Sequence, residues 1–174
     1  DAAVYTTGRE IGEISDLIDL LETTNPAIAT RVSVGTSLQG REIFGIRIKG
    51  TNAPADAPVI VINGCQHARE WLSPMSVCYA AEQLVTQYGV DPQITDLVDS
   101  IEWHLVPVTN PDGYVHTWAG DRFWRKNRRD NGNGTFGVDL NRNWSLQWGG
   151  VGSSGSSSDD TYRGPSPFSE PETT

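Results

Sequence analysis

The sequence has few basic residues, few cysteines and no long apolar run. Its 174 residues include 13 Lys and Arg against 22 Asp and Glu, a net charge of −9, which argues against a phosphate-binding surface and against a nucleic-acid partner. No stretch approaches the roughly 18 apolar residues of a membrane span, so no membrane partner is predicted. With 37% hydrophobic residues, the composition is typical of a folded globular domain with a real core.

Cys65 and Cys78 are the only cysteines. They flank a predicted junction between a strand and a helix, where a disulfide between them is favoured and implies an oxidising compartment. The alternative is two reduced, buried thiols that act as small hydrophobes. The spacing alone does not decide between the two.

The apolar pattern alternates between strand and helix. Strands are predicted at 31–34, 42–48, 59–62 and 101–108, and helices at 11–22, 73–88 and 91–99. The first two strands form an antiparallel hairpin, and the continuously apolar third strand is expected to be buried on both faces. The pattern predicts an α/β domain spanning 1–174, with a mixed, largely parallel central sheet and helices on both faces.

Irregular segments dominate after residue 108. Asn110 to Gly113 carry a strong turn signal, and 149–158 is almost entirely Gly and Ser, which indicates a surface loop. Long loops on a rigid α/β scaffold tend to hold function. Near the end, Ser169, Pro171 and Glu172 have the spacing of a capping box, so a helix is expected to start there.

A histidine and a carboxylate directly follow the third predicted strand. His67 and Glu70 lie three residues apart and are both normal zinc ligands, in the region beyond a strand end where α/β sheets bind ligands. Two ligands do not hold zinc, and this pattern alone also fits a polar turn with a local ion pair. His104 and His116 are expected to have structural or surface roles.

Basic and amide side chains form two further clusters. The first cluster is either a solvated basic face or an anion site; its members are Arg122, Arg125, Lys126, Arg128 and Arg129. In the second, Asn141 and Arg142 have the donors to grip a carboxylate. Asp139 suits the ring N–H of a metal-bound histidine. The second cluster fits equally well a polar turn with a buried Arg–Asp pair.

Five motifs, in order, resemble the funnelin zinc metallocarboxypeptidases, the carboxypeptidase A, B and T group. They are Gly64 to Trp71, Asn110 to Gly113, Phe123 to Arg128, Gly137 to Trp144 and Ser166 to Thr173. The resemblance implies a carboxypeptidase-like fold, one Zn²⁺ ion held by His67 and Glu70, and removal of C-terminal amino acids from peptides by metal-activated water.

The resemblance also implies roles for the remaining polar residues. Asp139 steadies His67, and Arg125 polarises the scissile carbonyl and stabilises the oxyanion. Asn141 and Arg142 hold the C-terminal carboxylate of the substrate. Arg69 and Arg122 lie along the groove by which the peptide approaches.

The chain departs from the family pattern because the second zinc histidine, the active-site tyrosine and the general-base glutamate lie downstream of the final motif. The resemblance therefore implies the N-terminal part of a catalytic domain, truncated on its C-terminal side and inactive alone. Its expected partner is the C-terminal remainder of that domain, and its expected location is extracellular, as a secreted protein. The alternatives are a zinc deacylase or amidase of related fold, and a non-catalytic module that binds peptide C-termini.

Overall fold

The computed structural model describes residues 10–174, which form two compact units. In the described part of the chain, the first unit comprises 10–34, 44–64 and 71–107, and the second comprises 35–43, 65–70 and 108–174. The elements are helices α1 (Ile11–Thr24), α2 (Leu72–Thr86), α3 (Pro92–Ser100) and α4 (Pro111–Ala119), and strands β1 (Ala29–Thr36), β2 (Glu42–Ile48), β3 (Val59–Asn63) and β4 (Glu102–Val106). The three helices and four strands predicted before residue 109 are all present, β2 at its predicted bounds and the others with ends shifted by one or a few residues.

The sheet has the order β1-β2-β4-β3. Strand β2 pairs antiparallel with β4, and β3 pairs parallel with β4 in the register Val59↔Glu102 to Asn63↔Val106. Strands β1 and β2 are neighbours joined by a short turn closed by Ser37 and Arg41, which only an antiparallel pair permits. The mixed α/β sheet is confirmed, and its parallel character within residues 10–174 is confined to the β3–β4 pair.

The first unit is held by apolar burial. Helix α1 buries Ile14, Ile18 and Leu21 at helical spacing, and Glu10 and Glu13 close a capping box at its start. Strand β2 contributes Ile46 and Ile48, which are fully buried. Helix α2 contacts α1, α3 and β4, so its buried side chains complete the core of this unit.

Strand β3 is not buried on both faces, and the prediction that it would be is wrong. Val59 is 57% and Val61 65% exposed, with Ile60 at 37%. The strand lies at the sheet edge and is hydrogen-bonded to β4 alone among the described strands. Its continuous apolar run therefore faces solvent in this part of the chain.

The predicted disulfide is absent, and the structure has the alternative of two buried thiols. The Cys65 Sγ atom lies 3.7 Å from the carbonyl oxygen of His67 and 3.9 Å from that of Ala68, so the thiol turns into its own loop. Burial, reinforced by the charge of Glu70, raises the pKa of the Cys65 thiol. The thiol therefore keeps its proton and is unreactive.

Two local predictions in the second unit also fail. The turn predicted at Asn110 opens helix α4, because the Asn110 side chain accepts from Gly113 N and Pro111 takes the first helical position. At the other end, the Ser169 hydroxyl donates to the Glu170 carboxylate (2.7 Å), so no capping box forms. The result at Pro171–Thr173 is one 3₁₀ turn. None of the helices within residues 10–174 is both long and apolar enough to cross a bilayer.

Candidate active site

The segment 65–70 is a tight turn that begins with a left-handed residue. Cys65 has φ 56, a conformation that costs free energy in a residue with a Cβ and persists only where its surroundings hold it. Its carbonyl oxygen accepts from Asn110 N at 3.2 Å. The turn is therefore held from its first residue, and it carries His67 and Glu70.

Asn110 and Arg125 hold the turn against the segment 123–128. The Asn110 Nδ2 group donates to the carbonyls of Gln66 (3.0 Å) and Lys126 (3.1 Å). Ala68 N donates to the Arg125 carbonyl at 3.0 Å. Because these bonds are made by backbone atoms and a fully buried amide, the turn has little freedom to move.

The imidazole of His67 lies between two carboxylates. Its Nδ1 atom is 2.9 Å from Glu70 Oε1, and its Nε2 atom is 3.1 Å from Asp139 Oδ1. A neutral imidazole has one N–H and can donate to only one of these acceptors. A cation between Nδ1 and the Glu70 carboxylate leaves the N–H on Nε2, where it donates to Asp139, the arrangement that metal-bound histidines adopt.

Asp139 is a fully buried carboxylate whose two oxygens have different partners. Oδ1 faces His67 and accepts from Asn141 N at 3.0 Å, while Oδ2 accepts from Arg125 Nη2 at 2.9 Å and Nε at 3.3 Å. Burial alone raises the pKa of Asp139, but hydrogen bonds and charge from His67 and Arg125 outweigh it, and the pKa lies below its usual value. One ionised carboxylate therefore fixes both the histidine ring and the guanidinium.

The donor set fits part of a zinc site. His67 Nδ1 and Glu70 Oε1 converge within 2.9 Å, both are normal zinc donors, and Asp139 holds the ring from behind. Zinc needs at least three protein ligands, and no group of three metal-binding side chains is found within residues 10–174. The described residues therefore offer two candidate zinc donors, fewer than a zinc ion requires.

Arg69 and Arg122 lie beside this turn and are anchored by backbone carbonyls. Arg69 Nη1 donates to the Phe123 carbonyl at 3.3 Å, and Arg122 Nη1 donates to the Arg69 carbonyl at 3.0 Å. A longer ion pair joins Arg69 to Asp160 at 3.6 Å, between exposed side chains, where its contribution is small. The two guanidinium groups line one side of the turn.

Asn141 and Arg142 occupy a 3₁₀ turn at Leu140–Arg142 that the Asp139 side chain caps. Arg142 donates from Nε to the Gly152 carbonyl (2.9 Å) and from Nη1 to the Asn141 carbonyl (2.8 Å). Both residues line a cleft of about 550 Å³ whose walls include Trp144 and Trp148. The cleft combines donors with aromatic surface, as ligand sites commonly do.

The basic cluster is neither a solvated face nor one anion site. Arg125 pairs with Asp139, and Arg129 pairs with Glu170 at 2.9 Å. The Lys126 Nζ atom donates to the Ser157 carbonyl (2.8 Å), and the Arg128 guanidinium stacks over Trp124 at 4.5 Å. The buried Arg–Asp pair is real, but its arginine is Arg125 rather than Arg142.

The structure brings all the predicted site residues into the second unit: His67, Arg69, Glu70, Arg122, Arg125, Asp139, Asn141 and Arg142. His104 instead bonds to Glu102 in β4 (2.9 Å), and His116 packs on Trp124 in the second unit. The sequence patterns did not predict the structural role of three buried amides, Asn110, Asn127 and Asn143, whose hydrogen bonds hold the site segments together. The Asn-Pro pair that opens α4 is a signal for Asn110, and no local pattern marks the other two.

Comparisons with known proteins match this chain to one family. A family model described as zinc carboxypeptidase matches residues 14–174. Carboxypeptidase B of Astacus astacus is 39% identical over 171 residues, covering 97% of this chain and 54% of that protein. The inactive metallocarboxypeptidase ECM14 of Uncinocarpus reesii is 44% identical over 144 residues, covering 79% of this chain and 24% of that protein.

The fold has the same relatives. The crystal structure of carboxypeptidase A from Helicoverpa armigera superposes with a TM-score of 0.87 at 41% identity, covering 97% of this chain and 41% of that one. This chain thus spans about half or less of the length of the relatives it matches. The carboxypeptidase-like α/β fold inferred from the sequence motifs is confirmed.

Proposed function

Because this chain belongs to the zinc carboxypeptidase family, we propose that it carries part of the active site of an enzyme that removes C-terminal amino acids from peptides. The observation that carries the proposal is the convergence of His67 Nδ1 and Glu70 Oε1 at 2.9 Å, with Asp139 behind the ring. A metal ion on Nδ1 and Glu70 lets a neutral imidazole serve both carboxylates, which a neutral ring with one N–H cannot do without it.

We propose that His67 and Glu70 are ligands of one zinc ion. Zinc bound here supplies a Lewis acid that polarises a carbonyl and activates water. Residues 10–174 contain no group of three ligands, and the general base implied by the family also lies outside the motifs of this chain. Residues 1–174, as a single partial domain, are therefore proposed to be inactive alone.

We propose that Arg125 is the catalytic arginine. A guanidinium is worth most in catalysis when it is already aimed at the position where negative charge develops. The two bonds to Asp139 Oδ2 and the 14% exposure of the side chain support a fixed cation of this kind. Arg125 binds the carbonyl oxygen of the scissile peptide and stabilises the oxyanion.

Substrate binding is assigned to four residues. Asn141 and Arg142 hold the free carboxylate, which confines cleavage to the last residue, because a guanidinium and an amide together match a carboxylate well. Arg69 and Arg122 contact the peptide upstream of the scissile bond. Peptide and protein C-termini are the proposed substrates, and an extracellular location, as the family resemblance implies, is the proposed setting.

The C-terminal remainder of the same domain is the proposed partner. Strand β3 exposes apolar side chains on both faces, with Val61 65% exposed, a pattern typical of a strand that another element covers.

The substitution Val61→Lys tests this proposal. It costs at most about 0.5 kcal/mol of unfolding free energy if β3 remains exposed. A cost above about 2 kcal/mol in the full-length protein is expected if it is covered. Urea unfolding measures the cost, with Val90→Lys, 72% exposed, as the matched control.

The match to an inactive relative supports one alternative, a module that binds peptide C-termini without cleaving them. Such a module keeps Arg142 and has no use for zinc. Retention of both His67 and Glu70 favours the enzyme. A zinc content near zero in the full-length protein, with intact binding of C-terminal carboxylates, would favour the module.

Paired variants of the full-length protein test the division of roles. Glu70→Gln is expected to lower zinc affinity by about 100-fold or more, because a neutral amide replaces a charged ligand. Arg142→Ala is expected to leave zinc in place and to raise KM for peptides about 100-fold. Zinc content is measured by atomic emission, with Glu82→Gln on α2 as the control. Equal zinc loss in both site variants contradicts the assignment.

A further inference from the structure

Arg142 differs in its partners from the arginines that form ion pairs in the described part of the chain. Arg41, Arg47, Arg125 and Arg129 each pair with a carboxylate. The partners of Arg142 are two backbone carbonyls, and no ion pair to Arg142 occurs among residues 10–174. A carbonyl orients a guanidinium without neutralising it, so the charge of Arg142 remains available to an external anion.

The carbonyl that orients Nε belongs to Gly152, in the Gly/Ser loop at 149–158. Gly152 has φ +86, and a Cβ built on it meets no atom within 4 Å. The direction of its carbonyl therefore depends on a left-handed conformation that glycine adopts without cost. A side chain introduced at position 152 has room, but the left-handed backbone conformation disfavours it.

The loop is ordered on both sides of Gly152. Ser153 donates to the Gly150 carbonyl from its backbone N (3.2 Å) and its hydroxyl (2.8 Å). On the far side, Ser154 N donates to the Thr161 carbonyl at 2.9 Å, and Arg163 N donates to the Ser154 carbonyl at 3.1 Å. The Gly152 carbonyl thus lies between the turn at Gly150 to Ser153 and the parallel bridge that joins Ser154 to Tyr162, so hydrogen bonds fix the loop on both sides of it.

The oriented guanidinium lies on the wall of the cleft that also contains Trp144, Trp148 and Gly150. Trp144 is stabilised by an edge-to-face contact with Phe168, at 5.9 Å between ring centroids. A carboxylate carried on an apolar body suits such a cleft, because the charge meets Arg142 and the body meets aromatic surface.

We propose that Gly152 is a positioning residue for carboxylate binding, and that the Gly/Ser loop sets the affinity of Arg142 for the substrate C-terminus through the Gly152 carbonyl. This inference rests on the proposed function, since it takes Arg142 as the carboxylate-binding residue. The inference assigns substrate selectivity to a main-chain carbonyl, in a segment whose Gly/Ser composition by itself indicates only a surface loop.

The test measures selectivity rather than turnover. Binding of 3-phenylpropanoate and of 3-phenylpropanamide, which contain no peptide bond to cleave, to full-length protein is measured by calorimetry, and the ratio of the two affinities measures the preference for the carboxylate. Gly152→Ala is expected to reduce this ratio about tenfold by turning the carbonyl away. Gly152→Asn is expected to retain the ratio within about threefold, since Asn tolerates the left-handed region.

The control is Gly132→Ala. Gly132 has φ +73 and equally open space around its Cβ position, so the substitution carries a similar backbone cost at a loop that does not contact Arg142. The ratio of the carboxylate affinity to the amide affinity in Gly132→Ala is expected to stay at the wild-type value. A wild-type ratio in Gly152→Ala, or an equal drop in Gly132→Ala, overturns the inference. A wild-type protein that does not prefer the carboxylate overturns the proposed function instead.

Discussion

The two units of this chain differ in the interactions that stabilise the interior of each. The core of the first unit is apolar, with Ile14, Ile18 and Ile48 completely buried. In the described part of the chain, every buried polar or charged side chain belongs to the second unit: Ser37, Thr109, Asn110, Asp112, Thr117, Lys126, Asn127, Asp139, Asn143, Glu170, Glu172 and Thr173. Apolar burial is non-directional, whereas hydrogen bonds fix both distance and angle.

This difference teaches why the candidate site lies in the second unit. A carboxylate such as Asp139 serves two partners only if its position is fixed to a fraction of an ångström. Loops with little regular structure reach that precision when buried amides satisfy their backbone groups, as Asn143 does for Arg163 and Ser166 at 2.9 and 3.0 Å. Such networks are effective when complete and costly when broken.

The strongest way to break the comparison is to remove one buried amide. Asn143→Ala deletes donors to three oxygens and an acceptor for Glu170 N and Thr173 Oγ1. We expect a loss of about 4 kcal/mol of unfolding free energy, because several buried groups lose their partners at once. Urea unfolding of the full-length protein measures it, with the exposed Asn133→Ala as control. A cost as small as that of the control shows that the network does not hold this unit.

A smaller effect is expected from pH. Burial raises the pKa of Glu172 to about 7 from 4.5, with the charges of Glu170 and Asp112 adding to the rise. Between these values the folded protein retains a proton that the unfolded chain has released. The contribution of Glu172 to the free energy of unfolding is therefore greatest below pH 4.5 and falls as the pH rises to 7. The total fall is up to about 3 kcal/mol.

Glu172→Gln checks this, because the amide keeps the shape and does not titrate. The difference in unfolding free energy between wild type and variant is expected to change across this pH window and to level off above it. Thermal unfolding measured at half-unit pH steps gives the difference. A difference that does not vary with pH is the contrary result, and Glu82→Gln provides the baseline.

The smallest effect is expected from the apolar unit. Ile48→Val removes one methylene from a fully buried site in β2 and is expected to cost about 1 kcal/mol, with no change in zinc affinity. Chemical unfolding and zinc titration of the same sample provide both values. If this change weakens zinc binding as strongly as Glu70→Gln, the division between scaffold and site is incorrect.

Sequence periodicity predicted the regular elements well and the irregular ones poorly. The helical spacing of Ile14, Ile18 and Leu21 gave α1, and the alternation at 42–48 gave β2 at its observed bounds. Helix α4 was missed because Asn110 and Pro111 favour a turn and a helix start equally. The burial of β3 was predicted wrongly because an apolar run reports what a strand is suited to, not which elements cover it.

By itself, the sequence determined which chemical groups this protein offers: an imidazole and a carboxylate three residues apart after a strand, and guanidinium groups in the later loops. Tertiary structure alone decided how they combine. Asp139 joins His67 to Arg125, while Arg142 is left to two carbonyls. The reason is physical, because a local pattern fixes helical or strand spacing, whereas the partner of a buried charge is set by residues distant in sequence that folding brings within hydrogen-bond reach.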